Sequence, residues 1–174
     1  MAPRRRSVTL VGCALLAVTA CGAPTSMDAP TSAVGGVRME RTVPGTLEFG
    51  RDHRFDSGVT VVVSTPKMFR PSDTAYPQSE RAVAFEVSIY NDGPQPYRLS
   101  DLVVRAAVND VPAKQVVDAT QGFNGIVDAD RDVPPQRNVR VNLAFAVPPE
   151  PAPLSVTVRP EPGSEDTAVY VGSA

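Results

Sequence analysis

Val83-Ala84-Phe85-Glu86-Val87-Ser88-Ile89-Tyr90-Asn91 decides the fold class of this chain. Val83, Phe85, Val87 and Ile89 take every second position, and Ala84, Glu86, Ser88 and Tyr90 fill the places between. A period of two places the two sets on opposite faces of an extended strand. Working outward, the same alternation recurs. Val139, Val141, Leu143, Phe145 and Val147 alternate with Arg140, Asn142, Ala144 and Ala146. Leu154, Val156 and Val158 alternate with Ser155, Thr157 and Arg159. Val59, Val61 and Val63 share a face opposite Thr60, Val62 and Ser64, and Leu102, Val104, Ala106 and Val108 make a further strand. Shorter candidates are Leu47 to Phe49, Lys114 to Val117 and Ala168 to Val171.

The breaks between these runs carry turn chemistry. Asn91-Asp92-Gly93-Pro94 reads as a turn whose residues tolerate positive φ, with Pro94 stopping the ladder. Asn109-Asp110-Val111-Pro112, Pro134-Pro135 and Pro148-Pro149 punctuate similarly. Val116 to Gly122 has room for one short helical turn, and no segment reads as a long amphipathic helix. The expectation is an all-β, antiparallel β-sandwich over residues 46–174, with seven or eight short strands that each keep one solvated face.

The chain starts differently. Arg4, Arg5 and Arg6 precede an apolar run from Val8 to Ala20, the order of a secretory signal peptide over residues 1–20. A helix of that length rises roughly 20 Å, short of the ~30 Å hydrocarbon core. Leu16-Ala17-Val18-Thr19-Ala20-Cys21 resembles the lipobox of bacterial lipoproteins, with Val18 aliphatic, Ala20 small and Cys21 as the acceptor. Leu is commoner than Val at the first of these places. The resemblance implies that Cys21 takes a diacylglyceryl group and becomes the first residue after cleavage. Two acyl chains would then hold the protein on the extracytoplasmic side of the membrane. The competing reading is an ordinary secretory signal cut nearby. Arg5-Arg6-Ser7-Val8 also fits twin-arginine export, as does any basic leader with adjacent arginines. Residues 21–45 then read as a tether rich in Pro, Thr, Ser, Ala and Gly, about 25–30 Å in typical span. Thr25, Ser26, Thr31 and Ser32 are candidate glycosylation positions, beside the plainer reading of an unmodified linker.

Composition narrows the chemistry. The chain has 174 residues, 17 basic and 19 acidic, and without its three leader arginines it stands near −5. That balance lacks the basic patch of a nucleic-acid binder. Cysteines occur only at Cys13, in the leader, and Cys21. The domain after the tether therefore has no disulfide and no thiolate metal site. Its basic residues are nearly all Arg, with only Lys67 and Lys114 as lysines.

Several motifs, taken in order, resemble a family of bacterial extracellular domains with an immunoglobulin-like, telokin-like fold, whose best-known members are secreted actinobacterial immunoprotective antigens. They are Gly58 to Pro66 as an opening valine-rich strand, Phe69-Arg70-Pro71-Ser72 as a loop and Val83 to Asn91 as the central strand. Pro96-Tyr97-Arg98-Leu99-Ser100 leads into the next strand, and Val169-Tyr170-Val171-Gly172 closes the sheet. The resemblance covers about residues 46 to 172. It implies a late hairpin from Val141 to Pro148 and Leu154 to Pro160, and it brings no catalytic residues.

Candidate chemistry is sparse. His53 is the only histidine, in the polar stretch Arg51-Asp52-His53-Arg54, which reads as an exposed loop. No G-x-S-x-G elbow accompanies it. Asp128-Ala129-Asp130-Arg131-Asp132 begins like a calcium loop, but Val133 stands where the sharp turn needs Gly, Pro134 takes the seventh place, and Val139 stands where a bidentate Glu belongs. A solvated acidic loop is the alternative. Met27, Met39 and Met68 with His53 have no copper-site spacing. Gly122-Phe123-Asn124-Gly125 offers an apolar tip for a partner, or a Phe123 packed under the sandwich. Glycine-rich phosphate loops are absent. The expectation is therefore no catalytic centre, no metal and no cofactor, in a membrane-anchored interaction or structural module with an unknown protein or envelope partner. The alternative is a carrier of a small apolar ligand or lipid in a cavity between the sheets lined by Phe85, Phe145 and Phe123.

Overall fold

The computed structural model describes residues 45–127 and 130–174. The leader 1–20, Cys21, the tether up to residue 44 (with Met27 and Met39) and Asp128 lie outside the described residues. In chain order the strands are β1 (Thr46–Glu48), β2 (Asp52–Arg54), β3 (Val59–Val63), β4 (Lys67–Phe69), β5 (Ala82–Asn91), β6 (Tyr97–Arg98) and β7 (Val103–Val108). They continue as β8 (Val111–Pro112), β9 (Gln115–Val116), β10 (Asp132–Val133), β11 (Arg137–Ala146), β12 (Pro153–Arg159) and β13 (Ala168–Ser173). Short 3-10 turns occupy Leu99–Asp101 and Ala119–Gln121. One sheet has the order β1-β13-β12-β7-β8 and the other β2-β3-β5-β11-β9, with β4 also on β5. β6 and β10 form a small ribbon.

Alternation explains why the sheets face each other. Val59, Val61 and Val63 of β3, Val83, Phe85, Val87 and Ile89 of β5, and Val141, Leu143 and Phe145 of β11 are buried. Ala106 and Val108 of β7, Leu154, Val156 and Val158 of β12, and Ala168 and Tyr170 of β13 meet them from the other side. Each fully buried Val or Leu contributes about 1.5–3 kcal/mol. Phe49 stacks on Phe85 at 5.4 Å and on Tyr170 at 6.1 Å, filling the layer between. Tyr170 is wholly buried, and its hydroxyl donates to the Val61 carbonyl at 3.1 Å, which ties one sheet to the other.

The fold is the antiparallel β-sandwich that the alternation predicts, with four differences. Nine strands of three or more residues are present among the described residues, because β2 and β4 lie in stretches too short to show a period. β1 pairs with β13 in parallel, Thr46 opposite Val169. The implied late hairpin does not form: β11 pairs with β5 and β9, whereas β12 pairs with β13 and β7. Pro148, Pro149, Pro151 and Pro153 crowd that connection. They lack the N–H groups a hairpin ladder needs, so the chain arches to the opposite sheet. Finally, the Asn91 turn is made without positive φ at Asn91, Asp92 or Gly93, whereas Asn109 (49°) and Asp110 (64°) take it in the two-residue link between β7 and β8. At Asn91 the side chain itself organises the turn: its Nδ2 donates to the carbonyls of Gln95 at 2.8 Å and Val133 at 2.7 Å, and its Oδ1 accepts the Gly93 N–H at 3.0 Å.

The strands also give the sandwich two distinct ends. Thr46, Asn91, Tyr97, Arg137, Arg159 and Ala168 lie at the end where the chain enters; Ala82, Ala146, Pro153 and Ser173 lie at the other.

Tyr170→Phe is expected to cost about 1 kcal/mol, the net worth of one buried hydrogen bond, or on the order of 4 °C in melting temperature. Burial holds the Tyr170 hydroxyl up to about 12, with Asp52 adding to the shift. A raised folded-state value gives stability that is full below the ordinary tyrosine range near 10 and lost as pH climbs through about 12. Urea unfolding across that window should show a steeper alkaline loss for the natural protein than for Tyr170→Phe. Gly58→Ala should cost more than about 1 kcal/mol in the same assay, because Gly58 has φ +85° and an added Cβ would stand 2.9 Å from the Gly93 Cα.

Candidate functional site

The outward face of the larger sheet is built from Ala82, Ala84, Glu86 and Ser88 of β5 beside Ala146, Ala144, Asn142 and Arg140 of β11. Near the end remote from chain entry these positions are alanines, and small side chains leave room for a third layer. The loop after β4 and the turn Ala119–Gln121 occupy that room, while β4 and β9 flank it as strands of the same sheet. Ala75, Ala82, Ala84, Val116 and Ala144 form a second buried cluster, with Phe69, Phe123 and Ala146 packed against it. Phe69 and Phe123 meet at 4.6 Å and 37°.

A carboxylate holds this layer. Asp118 is fully buried, and it accepts hydrogen bonds from the Ser72 N–H (2.7 Å), the Ser72 hydroxyl (2.8 Å) and Gln121 Nε2 (2.9 Å). The bond from the Ser72 backbone outweighs the cost of burial and holds the carboxyl below the usual aspartate range. Gln78 secures the same loop by donating from Nε2 to the carbonyls of Asp73 at 2.9 Å and Ala75 at 2.7 Å.

Where alanine gives way to Glu86 and Asn142, the layer stops and leaves a step in the surface. The step is a groove of about 470 Å³ with Ala84 at its floor, Phe69 and Phe123 at its apolar wall, and Lys67, Glu86 and Asn142 at its rim. Glu86 lies 3.6 Å from Arg140. Lys67 is exposed and has no ion-pair partner among the described residues. An aromatic wall beside an amide, an ammonium and a carboxylate can hold an amphipathic ligand by contact and by hydrogen bonds. A second, shallower depression of about 340 Å³ lies at the entry end and is lined by Tyr97, Arg98, Asp101, Asp132 and Glu161.

The residues singled out in the sequence are dispersed. His53 lies on β2 rather than in an exposed loop: its ring meets Phe55 edge-on at 4.7 Å, and its Nε2 stands 3.7 Å from Asp166 Oδ1. Strand pairing with Val61 puts it there. Phe123 is packed, but against the outer face of the sheet and not between the sheets. Phe85 and Phe145 point into the main core, 6.3 Å apart, so the three rings do not line one cavity. Met68 is exposed on β4. Asp132 lies on β10 opposite Arg98. Among the described residues no three His, Cys, Asp or Glu side chains gather around a common point, and no helix is long and apolar enough to cross a membrane. Asp118, which sequence reading passes over, has only its place before the short turn as a signal.

No family profile and no curated protein matches the chain. Solved structures share the fold. One is ycdA from Bacillus subtilis subsp. subtilis str. 168, a protein provisionally described as a lipoprotein: TM-score 0.56 and 15% identity over 72% of this chain, which spans only 39% of that chain. Another is yjhA from Bacillus subtilis, with TM-score 0.50 and 13% identity over 71% of this chain and 96% of that one. At such identities the likeness is one of fold.

Asp118→Asn should loosen the outer layer at neutral pH, read as faster amide exchange over Ser72–Gln78 and Val117–Phe123 with the core unchanged. A lowered folded-state value means that the natural protein keeps this stabilisation above the unfolded aspartate range near 4 and loses it as pH falls below. The amide of the variant does not titrate over that fall, so the two proteins should converge in acid.

Proposed function

We propose that this protein is a lipid-anchored, exported lipoprotein whose sandwich is a non-catalytic binding module, taking a protein or envelope polymer at the groove beside Phe69 and Phe123. The observation that carries the reading is the groove itself: a polar-rimmed, aromatic-walled step built by a third layer that the sandwich does not need for its own core. The leader and the Cys21 motif support export and anchoring. The lipoprotein description of ycdA, a fold neighbour, is compatible with both.

Two experiments address the two halves of this reading. Cys21→Ala should move the protein from the membrane fraction to the medium, or to a larger unprocessed band; unchanged membrane retention would contradict lipidation. Photo-crosslinking in cells from position 142 should give one dominant adduct, weakened at least tenfold by Phe69→Ala with Phe123→Ala. The same adduct at full strength from the double variant would rule the groove out.

A further inference from the structure

The outward face of the larger sheet stays open where the third layer stops. Alternation sends Glu86, Ser88 and Tyr90 of β5 outward, between the buried Val87 and Ile89. Across the ladder they stand beside Asn142, Arg140 and Asn138 of β11, and Tyr90 has Thr60 of β3 on its other side. Lys67 of β4 lies opposite Ala84 and begins the same row at the groove. From Ala84 to Tyr90 a strand rises roughly 20 Å. The groove and this row of side chains therefore form one path along the sheet.

The path carries free polar groups. Tyr90 is half-buried and Asn138 and Asn142 are exposed. The Tyr90 hydroxyl and the two side-chain amides make no hydrogen bond among the described residues. Lys67 and Glu86 are the charged residues that line the groove. Glu86 is engaged by Arg140 at 3.6 Å, so that pair adds no net charge, whereas Lys67 has no ion-pair partner among the described residues. The path thus offers an aromatic group at each end, Phe123 and Tyr90, amides along the way, and a free cation in the groove.

These features select among ligands. A peptide added as a strand needs an open sheet edge, and residues 122–127 of this chain already lie along β11 there. An acyl chain would leave the amides and the Tyr90 hydroxyl unanswered along most of the path. A sugar ring answers both kinds of group. Its C–H face is weakly positive and suits the negative face of an aromatic ring, while its hydroxyls donate to and accept from amides around the rim. Linked rings repeat that pattern along a line. A carboxylate on the ring would also form a charge-assisted hydrogen bond with a free ammonium.

We propose that this path binds an acidic polysaccharide, with one sugar against Phe69 and Phe123, its carboxylate at Lys67, and the following sugars along Asn142 and Asn138 to Tyr90. The proposal rests on the groove reading and names its ligand.

The test is calorimetric titration of the full-length lipidated protein, held in a zwitterionic detergent that carries no sugar. The probes are hexamers of galacturonate, mannuronate and hyaluronan, each beside the same oligomer with its carboxylates reduced to alcohols. At least one acidic hexamer should saturate with Kd below about 1 mM. It should bind at least tenfold more tightly than its reduced form, and Lys67→Met should erase that preference. Tyr90→Ala should weaken it at least fivefold. Asn138→Ala, a change at an exposed position, should weaken it at least threefold with the melting temperature unchanged. No saturation by any acidic hexamer overturns the proposal, as does equal binding of acidic and reduced forms, or full affinity in both Tyr90→Ala and Asn138→Ala. A protein adduct from position 142 that is lost with Phe69→Ala and Phe123→Ala, in a protein that binds none of the hexamers, would overturn the polysaccharide while leaving the groove reading intact.

Discussion

The ten-pair register between β5 and β11, from Arg137 opposite Asn91 to Ala146 opposite Ala82, is the constraint on which the rest of the molecule depends. A slip of one residue would turn every side chain of one strand to the wrong face. Val87 and Ile89 would meet solvent, and Glu86 would enter the core. The register is therefore held by burial along its whole length. Asn91 adds a fixed stop at one end, with three hydrogen bonds from one side chain, and no one-residue shift could reproduce them. With the pair locked, the outward residues are fixed as well: alanines at one end of the face, polar residues at the other. That gradient decides where a third layer can sit and where it must stop.

The two parts of the molecule are held by different physics. Between the sheets the contacts are aliphatic and aromatic, and Tyr170 is the polar bridge from β13 to β3. The cluster between the sheet and the outer layer has five buried residues, four of them alanines, and the Asp118 and Gln78 side chains fix the loops that cover it. Small apolar contact area with many backbone bonds near solvent marks a segment of low local stability. The outer layer can thus open or adjust without unfolding the sandwich.

What is legible in the residues follows from what a period can report. The alternation at Val83–Tyr90 and Val139–Val147 locates the two longest strands, because burial of one face writes itself into every second position. The three-residue strands β2 and β4 are too short to show a period, so the His53 stretch reads as a loop. Alternation also says nothing about which strand pairs with which. The prolines between β11 and β12 read as turn markers, yet their missing N–H groups favour an arch over a hairpin. The candidate site is mostly hidden for a related reason. Ala82, Ala84, Ala144 and Ala146 sit at positions that alternation counts as solvated, and alanine is uninformative about burial when read alone. Only as a cross-strand block of four do they mark a covered patch. Asp118 is invisible at that level, since its part depends on hydrogen bonds between distant segments.

The parallel pairing of β1 with β13 has a mechanical consequence. β1 enters the sandwich at Thr46 and runs inward along its own axis beside Val169–Val171. Tension on the chain ahead of Thr46 pulls β1 lengthwise, across the slanted hydrogen bonds of a parallel pair. The bonds of the pair then carry the load together in shear, instead of parting one after another as in a peeled hairpin. A strand loaded in that way resists along the stiffer of the two directions available to a sheet.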